Sequence, residues 1–209
     1  MGLARSVYII DYGAGNLRSV QKAFERVGVP ALVGASLRDI SAAPALVLPG
    51  VGAFGAAASA LRRTGLAEAV VLRIEAGVPF LGVCLGLQLL FEKSEEDPAA
   101  LGLGVLSGSV KALPPTVRVP HIGWNQVQVC RPSPLFAGIP GESAFYFVHS
   151  YVVVPDDPEH VLGLTDYDGV NFVSAVERDG VLGVQFHPEK SSLLGLHLYY
   201  NFARLAGLV

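Results

Sequence analysis

Short apolar segments alternate with amphipathic ones through the first half of the chain, and this alternation restricts the fold more than any other feature. Residues 7–11, 45–48 and 78–83 are apolar runs of buried-strand type. Residues 16–27 carry Leu17, Val20, Phe24 and Val27 at helical spacing and stop at Gly28. Residues 66–76 read as a second helix, closed by Gly77. Apolar strands separated by helices pair in parallel and are covered on both faces.

The second half has a different rhythm. Residues 104–111, 123–129, 144–154, 161–165, 171–177 and 181–185 read as short strands separated by turns such as 166–169 and 178–180. An amphipathic helix over 191–205 follows. The expected fold is α/β: an open, mostly parallel sheet flanked by helices, with a smaller antiparallel sheet. The change of style near residue 100 carries no linker or low-complexity segment, so residues 1–209 are expected to form one domain.

Composition excludes several function classes. With 51% hydrophobic and 16% charged residues, the chain is a packed globule rather than a disordered one. A net charge of −3 with no basic run argues against a nucleic-acid or membrane-surface protein. No apolar run approaches the roughly 18 residues that span a bilayer. Residues 1–6 lead into the first strand without a secretory pattern. Two cysteines, Cys84 and Cys130, make no disulfide framework. The expectation is a cytoplasmic protein in a reducing compartment.

Chemistry concentrates at Gly82-Val83-Cys84-Leu85-Gly86, where an apolar strand meets a helix expected to begin over 86–91. This is the nucleophile-elbow pattern with Cys in place of Ser. The turn is tight enough to strain the nucleophile's backbone, so the flanking positions need glycine. It projects the thiol at the carboxyl end of the strand against a helix N-terminus, whose dipole favours a thiolate. The Leu85 N–H is placed to stabilise an oxyanion. A buried structural cysteine is the plain alternative.

His187-Pro188-Glu189 follows the last apolar strand. A thiol nucleophile needs a base, and the base needs a carboxylate to fix its tautomer. Parallel strands end on one edge, so Cys84 and His187 can meet there. Alone, the tripeptide reads more readily as an exposed loop. Pro49-Gly50-Val51-Gly52 follows another strand on that edge and offers backbone N–H groups as a second oxyanion donor. A phosphate loop would require a following Gly-Lys-Ser/Thr, which is absent. Gly13-Ala14-Gly15 lacks the third glycine of a dinucleotide fingerprint, Arg18 standing in its place.

In this order the three elements resemble the class I glutamine amidotransferases. Gly82-Val-Cys-Leu-Gly-Leu-Gln88 and His187-Pro-Glu189 carry the likeness. It implies a Cys84–His187–Glu189 triad that releases ammonia from glutamine, Gln88 holding the substrate, Gly52 at the oxyanion loop and no metal or cofactor. Asp11-Tyr-Gly-Ala-Gly-Asn, Pro120-His-Ile-Gly-Trp-Asn125 and Tyr146-Phe-Val-His-Ser-Tyr151 extend the likeness over nearly the whole chain. They are similar to the branch that passes ammonia to a separate (β/α)8 cyclase subunit. That cyclase makes imidazole glycerol phosphate and aminoimidazole carboxamide ribotide in histidine biosynthesis.

For the remaining motif residues the reading is less specific. Trp124, Asn125, Tyr146 and Lys190 are candidates for the partner interface; a semi-exposed Trp is a good anchor. Tyr146 is equally placed to touch glutamine, as are His149, Ser150 and Tyr151. Core packing for Trp124, a satisfied strand histidine for His149 and a solvated Lys190 remain open. So do three other readings: a glutaminase serving another synthase, a cysteine hydrolase of another class, and a catalytically dead interaction module, against which the intact Cys–His–Glu set argues.

Overall fold

Val7–Ile10 (β1), Leu46–Gly50 (β3) and Phe80–Cys84 (β4) are buried along their whole lengths in the computed structural model, which describes residues 3–209. Residues 1 and 2, part of the opening stretch, lie outside the described residues. The first half continues with α1 (Leu17–Arg26), β2 (Ala31–Gly34), α2 (Leu37–Ala42), α3 (Phe54–Arg63), α4 (Leu66–Glu75) and α5 (Leu85–Gln88). The second half holds β5 (Lys93–Ser94), β6 (Asp97–Leu101), β7 (Gly108–Ala112), β8 (His121–Val129), β9 (Ser143–His149) and β10 (Tyr151–Pro155). It closes with β11 (Val161–Tyr167), β12 (Val170–Arg178), β13 (Val181–Val184) and α6 (Ser192–Leu205).

The strands run in the order β2-β1-β3-β4-β13-β12-β10-β7-β5-β6. The β2-β1-β3-β4-β13 segment is parallel throughout. From β12 onward the pairing is antiparallel except between β5 and β7. The antiparallel part is thus an extension of the parallel sheet. From β12, the branch strand β11 carries the β8–β9 ribbon.

Alternation along β1 explains the two cores. Val7 and Ile9 join Phe24, Tyr199 and Phe202 of α1 and α6 on one face. Tyr8 and Ile10 join Phe54, Leu61, Leu66 and Val70 of α3 and α4 on the other. Among the described residues no helix is long and apolar enough to cross a membrane.

Three differences from the sequence reading bear on the site. Residues 144–154, read as one strand, break at Ser150: β9 pairs with β8, whereas β10 pairs with β7 and β12. The helix expected over 86–91 is a single turn, Leu85–Gln88. The aligned dipole behind Cys84 is correspondingly short, so support for a thiolate falls on neighbouring side chains. A charged hairpin, β5–β6, fills a stretch to which the sequence reading assigned no element.

Candidate active site

The parallel pairing brings the carboxyl ends of β3, β4 and β13 to one edge. Gly50 lies opposite Cys84, and Val184 opposite Val83. Cys84 sits between strand and helical turn at φ 55°, ψ −110°. Such a conformation costs roughly 1–3 kcal/mol. Its neighbours Leu85 and Leu87 are 2% and 0% exposed, and burying each contributes about 1.5–3 kcal/mol, enough to hold the turn. The glycines are required sterically. A Cβ at Gly82 would lie 2.6 Å from the Gly86 carbonyl, and one at Gly86 would collide with the Leu48 carbonyl. A Cβ at Gly50 would meet the Tyr12 hydroxyl at 2.6 Å and the Leu85 Cβ at 2.8 Å.

A cavity of about 260 Å³ opens over this edge. Val51, Gly52, Cys84, Leu85, Gln88, His149, Ser150 and Tyr151 line it, so eight residues singled out from the sequence share one space. Gly50 packs beneath the lining, against the elbow. Glu96, Pro120 and Val148 complete the wall.

His187 and Glu189 lie beside the cysteine. His187 Nδ1 is 2.8 Å from Glu189 Oε1, and both side chains are only 2% exposed. The other carboxylate oxygen, Oε2, accepts from the Tyr199 hydroxyl at 3.1 Å. Burial depresses the His187 pKa, but Cys84 and Glu189 outweigh it and raise it from 6.5 to about 10. Both neighbours thus favour the protonated imidazole. Its Nε2 is buried without a hydrogen-bond partner. The Cys84 side chain contributes the leading interaction that raises the pKa, ahead of Glu189.

The ring pair His121–His149 buttresses the opposite wall. His149 Nδ1 is 3.0 Å from the Tyr151 carbonyl, and His149 Nε2 is 3.0 Å from His121 Nδ1. Burial, with His121 adding to it, lowers the His149 pKa to about 3, and burial lowers that of His121.

The four interface candidates divide. Trp124 is 55% exposed. It faces Tyr146 across β8–β9 with ring centroids 6.2 Å apart. The Lys190 ammonium lies 5.6 Å from the centre of the Tyr146 ring. Asn125, in contrast, turns inward: its amide donates to the Asp166 carbonyl at 2.8 Å and lies 3.5 Å from His121 Nε2. Ile122, 60% exposed, pairs across the ribbon with Val148 of the cavity wall. The exposed apolar face therefore borders the cavity.

The family model described as "Glutamine amidotransferase class-I" matches residues 8–204. The HisH subunit of imidazole glycerol phosphate synthase from Moorella thermoacetica is 53% identical over 96% of this chain and 95% of its own length. Its counterpart from Aquifex aeolicus is 53% identical over 95% of this chain and 96% of its own length. The chain belongs to the class I glutamine amidotransferases, in the HisH branch. A solved structure described as a glutamine amidotransferase superposes with a TM-score of 0.77 at 24% identity, covering 99% of this chain and 100% of the other. At that identity it speaks for the amidotransferase fold alone.

Three side chains of this amidotransferase site went unread in the sequence. Tyr199 lies on the buried face of α6, where a hydroxyl needs a partner; that need was the available signal. Gln185 ends an apolar strand two residues before His187, and its amide donates to Cys84 Sγ at 3.6 Å. Glu96 belongs to the β5–β6 turn and accepts from the Phe54 N–H at 2.8 Å. Nothing local in the sequence pointed to it.

The histidine pair sets the expected acid limb of stability. His149 is neutral when folded and charges when unfolded, so from about pH 3 to 6.5 the unfolded chain binds more protons, and the buried His121 acts in the same direction. Stability is therefore present above 6.5 and lost as the pH falls, by up to about 1.4 kcal/mol per pH unit for His149. Denaturant unfolding between pH 4 and 7 checks this. The His149→Gln variant is expected to show a shallower acid limb than the parent.

Proposed function

We propose that the chain, working as one glutamine amidotransferase domain in the cytoplasm, hydrolyses glutamine through a Cys84 thioester. The ammonia passes to a separate cyclase subunit that makes imidazole glycerol phosphate in histidine biosynthesis. The observation that carries this reading is Cys84 lining a cavity of about 260 Å³ with the buried His187–Glu189 pair beside it.

Cys84 Sγ attacks the side-chain amide carbon, and the N–H groups of Leu85 and the Val51–Gly52 backbone hold the oxyanion. The carbon–nitrogen bond breaks as His187, already protonated, delivers its Nε2 proton to the leaving ammonia. Neutral His187 then takes a proton from water, whose oxygen attacks the thioester; glutamate leaves and the thiolate returns. Glu189 holds the Nδ1 proton throughout. The Glu96 carboxylate and the Gln88 amide suit the α-ammonium end of the substrate; Ser150 and the Tyr151 backbone suit its carboxylate end.

Ammonia released into bulk water becomes ammonium and loses its nucleophilicity, so the cavity mouth needs a cover. The exposed Ile122 and Trp124, beside Tyr146 and Lys190, form an aromatic and cationic face suited to a partner. Glutamine hydrolysis by this chain, with and without the cyclase and its nucleotide, tests the reading. Low activity alone and high activity in the complex is the expected result. Full activity in the lone chain would contradict control by the partner, and no activity in either case would remove the function.

A further inference from the structure

We propose that Gln185 is a positioning residue that presents an N–H to the Cys84 sulfur. Its orientation is fixed by the Tyr151 carbonyl through Gln88. The inference rests on the reading of Cys84 as the nucleophile and adds a fourth side chain to the groups around it.

The Tyr151 carbonyl oxygen only accepts, so each polar atom pointed at it must carry a hydrogen. Gln88 lies 3.1 Å away through its side chain, and that atom is therefore the amide nitrogen. The same nitrogen lies 3.2 Å from a side-chain atom of Gln185, which must accept and is therefore Oε1. With Oε1 turned to Gln88, the Nε2 of Gln185 has one direction left, toward Cys84 Sγ at 3.6 Å. A second donor, His149 Nδ1 at 3.0 Å, holds the same carbonyl from the other side. Reversing either amide would set two acceptors or two donors against each other inside the protein.

Local geometry places these groups without special provision. Cys84 and Gln88 are four residues apart, at either end of the helical turn, and so share a face. Gln185 and His187 are two residues apart just beyond β13, and both meet the cysteine. The Gln185 side chain is 0% exposed, and its backbone N–H donates to the Ser174 carbonyl at 2.9 Å. No water competes for its amide. A neutral, non-titrating donor at the sulfur favours the thiolate and fixes its direction, while His187 keeps its proton for the leaving group. The one-turn helix supplies only a short dipole there, so this donor has a task to perform.

The test compares Gln185→Met and Gln185→Glu with the parent. Methionine removes the donor at similar length. Glutamate keeps an acceptor for Gln88 but turns an oxygen toward the sulfur. Iodoacetamide labelling of the full chain is followed peptide by peptide, with the exposed Cys130 as internal reference. Near neutral pH, Cys84 labelling relative to Cys130 is expected to fall about tenfold in Gln185→Met and at least as far in Gln185→Glu. In the complex with the cyclase, kcat for glutamine falls by about the same factor while KM stays within about twofold. Parental Cys84 labelling in the variants would overturn the proposal, whatever happens to turnover. If Gln185→Met fails to fold, Gln185→Glu, which keeps the bond to Gln88, decides. Parental Cys84 that labels no faster than Cys130 would mark a failure of the nucleophile reading instead.

Discussion

Replacing Cys84 by alanine is expected to lower glutamine-dependent synthesis by the complex at least about 10⁴-fold, while synthesis from added ammonium salt continues at the parental rate. Alanine removes only the sulfur of a residue that is 7% exposed and belongs to one core. It leaves Gly82 and Gly86, whose missing side chains allow the turn, in place. The strained φ of 55° is no worse for alanine than for cysteine. The fold and the β8–β9 ribbon therefore survive, and the loss falls on the chemistry alone. Steady-state product formation with each nitrogen source makes the measurement. Equal loss from both sources would point to a damaged fold, and retained glutamine-dependent synthesis would remove Cys84 from the mechanism.

The second large effect is expected for Glu189→Gln: a fall in kcat of roughly 10²–10⁴-fold with little change in KM for glutamine. The carboxylate accepts from His187 Nδ1 at 2.8 Å and from the Tyr199 hydroxyl at 3.1 Å. A neutral amide of the same shape accepts from only one of them and places N–H groups against the other. It also removes one of the two partners that raise the His187 pKa to about 10. The linkage has a definite sign. In the parent, the His187 contribution to stability is fully present below pH 6.5 and is lost as the pH rises through about 10. In the variant that loss moves to lower pH, and so does the alkaline limb of activity. Denaturant unfolding and turnover measured against pH read both shifts. Coincident alkaline limbs in parent and variant would show that Glu189 does not act through His187.

The sequence revealed most where chemistry and backbone geometry coincide. The elbow was legible because two glycines, an apolar strand and a cysteine have few joint uses, and the contacts at Gly82 and Gly86 bear out the need for both glycines. The parallel edge followed from strand–helix alternation, which placed the His187 segment near Cys84 before any coordinates. Residues 144–154 misled because period-two alternation does not register a change of partner. The break at Ser150 separates β9 from β10 and turns Ser150 and the Tyr151 backbone toward the cavity. Gln185 and Glu96 act through contacts between residues far apart in the chain, and Tyr199 through a hydroxyl that reaches back ten residues to Glu189; neither propensity nor spacing records these. The one-turn α5 was over-read as a longer helix because the Leu-rich segment after Gln88 continues the apolar pattern, while the backbone turns away to follow the core.

The central claim is that glutamine is opened on Cys84. The most direct measurement is the mass of the Cys84 peptide after acid quenching of the complex during turnover with glutamine. A γ-glutamyl thioester on Cys84, absent from Cys130 and from the Cys84→Ala variant, is the result this account expects. Steady glutamine consumption with no acyl group on Cys84, or with one on a different residue, would contradict it.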